Sequence, residues 1–103
     1  DRNGKRNHDE IRFFCDYIEG QSYMSDDKGN GGGLAADADF VVLGDLNADP
    51  FDGDGIHSGI NRLLASNRIN SRFVPSSKGA NEASKLSGQI NLKHKGDPSH
   101  DTG

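Results

Sequence analysis

In ADFVVLGD, residues 40–43 form the longest unbroken apolar run of the chain, bounded by Asp39 and Gly44 and half composed of valine. Continuous rather than alternating apolarity predicts a β-strand covered on both faces. Such a strand needs layers on either side, and the rest of the sequence offers few. Of 103 residues only 31% are hydrophobic, 14 are glycine and none is tryptophan. Chains of this length bury a modest share of their surface, and ordering the backbone costs about 1–2 kcal/mol per residue. Either much of the chain is loop or it is a piece of a larger domain, and the composition favours the piece.

Upstream of the strand, NHDEIRFFCDYIEG predicts a helix. Asn7 is placed to cap the first backbone N–H groups, and Glu10 follows at the capping-box position. Asp9 and Glu10 in a first turn suit the positive end of the helix dipole. Ile11, Phe14, Cys15 and Ile18 recur on one helical face, Phe13 and Tyr17 widen it, and Gly20 supplies the stop. Residues 21–36, QSYMSDDKGNGGGLAA, are predicted to be a flexible Gly-rich loop. Beyond the strand, HSGINRLLASNRIN predicts a shorter helix on Ile56, Ile60, Leu63 and Leu64, with Ser58 as its cap and Asn67 and Arg68 at its end. SRFVPSS reads as a brief extended segment halted by Pro75. Residues 78–103 are polar, with Leu86, Ile90 and Leu92 as apolar anchors, and are predicted to be a long polar loop. Helix, loop, strand and helix in that order place the chain in the α/β class.

A net charge of −4, from 12 basic and 16 acidic residues, excludes a broadly basic polyanion-binding domain but leaves room for a local phosphate site. The basic residues Arg2, Lys5, Arg6 and Arg12 cluster without interleaved aromatics that could stack on bases. No apolar run approaches the roughly 18 residues of a membrane span. The single Cys15 has no disulfide partner in the chain and reads as a small buried thiol. His8, His57, His94 and His100 lack the helical pair spacing of a zinc site, and each reads as a solvated residue. Gly31, Gly32 and Gly33 neither follow a strand nor open a helix, so a phosphate-cradling loop is not expected.

The strand runs into GDLNADPFDGDG, where Asp45, Asn47, Asp49, Asp52 and Asp54 crowd one corner. Ligands of open α/β sheets gather at the carboxyl ends of strands. Asp45 and Asn47 are separated by Leu46, so an extended backbone aims both polar side chains one way and Leu46 toward the core. A carboxylate there can ligate a hard cation or accept a proton from water, and the amide can donate to a phosphate oxygen. Two rivals stand beside this reading. Asp45, Asn47 and Asp49 match the first offsets of an EF-hand, but Pro50 and Ile56 stand where Gly and Glu are required; a looser calcium site on Asp49, Asp52 and Asp54 stays open. Asp, Asn, Gly and Pro are also what turns prefer for backbone reasons, and for Asp49, Asp52 and Asp54 taken singly the turn is the better reading.

GDLNADP resembles the GDxN motif of the endonuclease/exonuclease/phosphatase superfamily, with its pancreatic-deoxyribonuclease-like fold. RNGKRNHDEIRFFCDYI, FVVLGDLNADPFDGDG, the helix after it and KGDPSHDTG look, in that order, like the middle of bacterial members. The resemblance covers most of the chain apart from the Gly-rich loop and residues 76–90. It implies a fragment of a four-layer α/β sandwich, residues 1–103 being a partial domain incomplete at both ends. It also implies a divalent-metal site, usually Mg²⁺ with Mn²⁺ or Ca²⁺ as variants, and hydrolysis of a phosphate ester as a phosphodiesterase, nuclease or phosphatase. Carried over by position, Asp45 orients or deprotonates the attacking water, and Asn47 hydrogen-bonds the scissile phosphate or helps hold the metal. The family's early Glu, its His from a preceding strand, its late Asp and its Asp-His pair match no position here. They are expected before Asp1 and after Gly103, so the chain alone is expected to be inactive and the activity to belong to its parent. Arg2, Arg6 and His8, which in relatives follow the strand bearing that His, are candidates for substrate contact, with a charged loop and cap as the preferred reading. Nucleic acid, nucleotide, lipid head group and sugar phosphate all stay open as substrates. Because bacterial relatives are often exported, an extracellular or periplasmic home is the expectation. From another class, the alternative is a calcium-binding or purely structural extracellular module built on the 45–54 loop.

Overall fold

The computed structural model describes residues 2–86 and 93–101. Helix α1 spans Arg2–Ile18, and Ile11, Cys15 and Ile18 are buried along one of its faces. Phe13, Phe14 and Tyr17 remain exposed, so the inward stripe is narrower than the sequence implies. The helix starts at Arg2 rather than after Asn7. Asn7 therefore caps nothing; its side-chain amide donates to the Leu46 carbonyl at 2.8 Å. A capping box is a local signal, and here a carbonyl far along the chain claims the amide instead.

Helix α2 spans His57–Ala65, with Ser66 at its C-cap, and so stops short of the predicted end. Ile56 stands at the N-cap without a side-chain cap bond. Ser58, the expected cap, lies inside the first turn. Helices α1 and α2 pack together around Ile11, Cys15, Ile18, Ile60 and Leu63. Close approach is possible because Gly59 has no side chain: a Cβ there would meet His8 Cδ2 at 3.2 Å and the His8 carbonyl oxygen at 3.3 Å. Cys15 Sγ donates to the Gly59 carbonyl at 3.9 Å, and burial pushes the thiol pKa up. At the other end of the contact, the Arg62 guanidinium reaches Asp16 at 2.8 Å and also pairs with Glu19. The Tyr23 hydroxyl donates to the buried Asp16. That bond, followed by the bond from Arg62, holds the Asp16 carboxyl below the usual carboxylate range.

Residues 40–48 correct the predicted fold class. Among the described residues there are three α-helices and a short 3₁₀ helix, Pro98–His100, but no strand or sheet; the pairing of Ser25 with Gly31 is an isolated bridge. The α/β arrangement and the four-layer sandwich are therefore contradicted, and the described chain is a small all-helical one. Phe40, Val42, Leu46 and Ala48 pack against the α1–α2 core, whereas Val41 and Leu43 are 78% and 87% exposed. The apolar run is thus covered on one face only. A strand exists through the ladder that pairs its N–H and C=O groups, and no described segment lies beside this one to supply a ladder.

Helix α3, Lys78–Leu86, corrects the predicted loop. Ser77 Oγ accepts from Gly79 N at 3.1 Å and Ala80 N at 3.3 Å, as a Ser cap does, and KGANEASKL is rich in good helix formers. None of its residues is buried. It packs with the 3₁₀ helix rather than with the core. This outlying pair fits a radius of gyration of 16.4 Å, against about 13 Å for a compact domain of this length. The apolar anchors Ile90 and Leu92 lie outside the described residues. No described helix is long and apolar enough to cross a membrane.

The 21–36 loop folds back on the end of α1. Asp26 Oδ1 accepts from Lys28 N at 2.9 Å and Asn30 N at 2.8 Å, Met24 is buried, and Leu34 N donates to the Tyr17 carbonyl at 2.7 Å. Arg68 ties the same end down. Its guanidinium donates to the carbonyls of Ile18 at 2.6 Å, Ala35 at 3.2 Å and Ala38 at 2.8 Å, and it lies 5.0 Å from the centroid of the Phe40 ring. A cation at the last carbonyls of a helix complements its dipole.

Candidate functional site

The acidic corner follows directly from the one-sided packing of residues 40–48. Leu46 and Ala48 face the core, which leaves Asp45, Asn47 and Asp49 exposed. Asp45 Oδ1 accepts from Asn47 N at 2.8 Å, and Asn47 adopts a φ of 46°. Asparagine is among the few residues that occupy this left-handed region readily. The pair therefore sits in a tight Asx turn rather than on an extended run. Asp49 Oδ1 accepts from Phe51 N at 2.6 Å and Asp52 N at 2.8 Å, the turn chemistry expected of an isolated Asp here.

Asp52 does something the sequence does not announce. Its two oxygens accept from Lys95 N at 2.7 Å and Gly96 N at 2.8 Å, so the corner is clamped to the segment that leads into the 3₁₀ helix. The Lys95 amide first, and the Gly96 amide second, hold its carboxyl below the usual carboxylate range. A depressed folded-state pKa gives stability that is complete above the ordinary carboxylate pKa and lost as pH falls through the lowered value. The clamp is therefore expected to open only in acid stronger than ordinary carboxylate titration requires. In an NMR pH titration the Lys95 and Gly96 amide protons should move together at that lowered midpoint. A midpoint at the ordinary carboxylate value would show that the clamp does not form, and Asp52→Asn should remove the transition.

The clamp closes one wall of a cavity of about 820 Å³. Asp45, Asn47 and Asp49 line it from the corner, and Asn7 from α1. Ile56 and His57 bring the uncapped amino end of α2, while Ser77, Gly79 and Ala80 bring the start of α3. His94, His100 and Asp101 complete the far side. His57, His94 and His100 were not separable from ordinary surface histidines by spacing; only the clamp and the docking of α3 bring them to one cavity. The candidate substrate contacts near the start of the chain do not join them. Arg6 pairs with Glu10 at 2.9 Å on the outer face of α1, and His8 turns to Ser58, 3.0 Å away.

Electrostatically the cavity mixes carboxylates with three histidines and two helix amino ends, which carry partial positive charge. A phosphoryl group suits such a wall, and a carboxylate beside a carboxamide suits proton transfer and orientation at it. The donors for a cation are fewer. No group of three or more His, Cys, Asp or Glu among the described residues is arranged to hold a metal ion. Asp45 and Asn47 offer a carboxylate and an amide oxygen, short of the sphere that Mg²⁺ or Ca²⁺ requires, so the described residues do not by themselves fit a divalent cation.

No family model matches the chain, and neither does any curated protein or solved structure.

Proposed function

We propose that this chain carries the Asp45–Asn47 part of a site that binds and hydrolyses phosphate esters, Asp45 acting on the attacking water and Asn47 on a phosphoryl oxygen. One observation carries the reading: the two residues, held in a single Asx turn, border a cavity that also receives His57, His94, His100 and the amino end of α2. The resemblance of GDLNADP to the GDxN motif is the second support. In that family a divalent cation, most often Mg²⁺, offsets charge on the phosphoryl oxygens; its remaining donors are not assembled by the described residues. Monoester and diester, and nucleic acid, nucleotide, lipid head group and sugar phosphate, fit the reading equally.

Binding is expected of the chain itself and turnover only of a protein that adds the missing groups. In an NMR titration with inorganic phosphate, with and without Mg²⁺, the signals of Asn47, His57 and His94 should shift, and Asn47→Ala should suppress the response. In a longer protein bearing this chain, Asp45→Ala should lower kcat by about 10²–10⁴, the range of general-base catalysis, with circular dichroism showing the fold retained. Response to Ca²⁺ alone, with phosphate inert, would instead make the 45–54 loop a calcium-binding or structural module, and the hydrolytic reading would fail.

A further inference from the structure

We infer that Ser58 is a histidine-activated nucleophile that takes an acyl group from carboxylic esters, an activity separate from the Asp45–Asn47 site. Ser58 and His8, 50 residues apart, meet at 3.0 Å between Oγ and Nε2. The His8 side chain is only 23% exposed, and Asp9 Oδ1 stands 3.5 Å from its Nδ1. Gly59 leaves room for the ring, since a Cβ there would stand only 3.2 Å from Cδ2. Ser58 itself is exposed to an incoming substrate. A hydroxyl is a weak nucleophile until a positioned base takes its proton. With its proton on Nδ1, the side that faces Asp9, the ring leaves Nε2 to accept from the Ser58 hydroxyl.

The step balances without a cofactor. Ser58 Oγ attacks the ester carbonyl carbon while its proton passes to His8 Nε2. The bond to the leaving alkoxide oxygen breaks, and His8 gives that oxygen the proton. Water then attacks acyl-Ser58 with His8 again as base, releasing the carboxylic acid and restoring the hydroxyl.

A fluorophosphonate tests the nucleophile directly, since attack forms an Oγ–P bond and expels fluoride. Intact mass and peptide mapping of the full chain should show one adduct, at Ser58, ahead of the exposed Ser22 and Ser76. Ser58→Ala should abolish it. His8→Gln and His8→Asn, each verified as folded by circular dichroism, should slow labelling and 4-nitrophenyl acetate hydrolysis by about 10²-fold or more. Labelling of Ser58 no faster than of Ser22 and Ser76, or rates unchanged in either folded His8 variant, would reduce the contact to a link between helices and overturn the inference.

Discussion

Gly33→Ala is expected to destabilise the fold by about 3 kcal/mol, the top of the range for overpacking. A Cβ at this position would lie 2.2 Å from the Tyr17 carbonyl oxygen and 3.0 Å from its carbonyl carbon and Cα. All three obstructions are backbone, so no change of rotamer relieves them. The same oxygen already accepts from Gly20 N at 3.1 Å and Leu34 N at 2.7 Å, and the second bond holds the 21–36 loop to the end of α1. Either the loop leaves or α1 frays. Urea denaturation should report the loss, and amide exchange should show Leu34 unprotected. Gly55→Ala is the control, because nothing lies within 4 Å of its Cβ; it should stay within about 0.5 kcal/mol of the parent. Equal stability of the two variants would mean that Gly33 does not approach α1 as described.

The second large effect is expected from Leu63→Ala. Leu63 is 4% exposed and belongs to a core cluster of Ile11, Cys15, Ile18, Ile60 and Leu63. Truncating a buried leucine costs about 2–5 kcal/mol, against a total of about 5–15 kcal/mol for ordinary domains. A core this small has little reserve, so the variant should be largely unfolded at room temperature, with α1 and α2 losing their contact together. Leu64→Ala, one residue on and 37% exposed, should cost less than half as much. Circular dichroism and urea midpoints distinguish them. The reverse order would place the inward face of α2 one residue away from where packing sets it.

How much of this was readable beforehand varies by element. Ile11, Cys15 and Ile18 in α1, and Ile60 and Leu63 in α2, announce themselves because helical periodicity is a property of neighbouring residues. The ends of those helices do not. Asn7 and Glu10 satisfy a capping box, yet Asn7 is spent on the Leu46 carbonyl. Ser58 satisfies the requirement for an N-cap, yet its hydroxyl meets His8. Helix α3 was legible in principle, from Ser77 followed by a run of helix formers, but it buries nothing, and a search guided by apolar spacing passes over it. Residues 40–43 mislead most. Their unbroken apolarity implies cover on both sides, and α1 and α2 supply it on one.

The candidate site divides in the same way. That Asp45 and Asn47 stand together past an apolar segment, with Leu46 between them, is written in the sequence, because adjacency along the chain fixes it. Which histidines face them is not, since His57, His94 and His100 reach one cavity only through the Asp52 clamp and the position of α3. Local order thus determined the helical faces and the acidic turn. Tertiary structure alone decided the joins: Asn7 to Leu46, Arg62 to Asp16, Arg68 to the carbonyls of residues 18, 35 and 38, Asp52 to the amides of Lys95 and Gly96. Each is a polar group meeting another at hydrogen-bond distance across tens of residues, and that depends on how the helices pack, which no short window of sequence encodes.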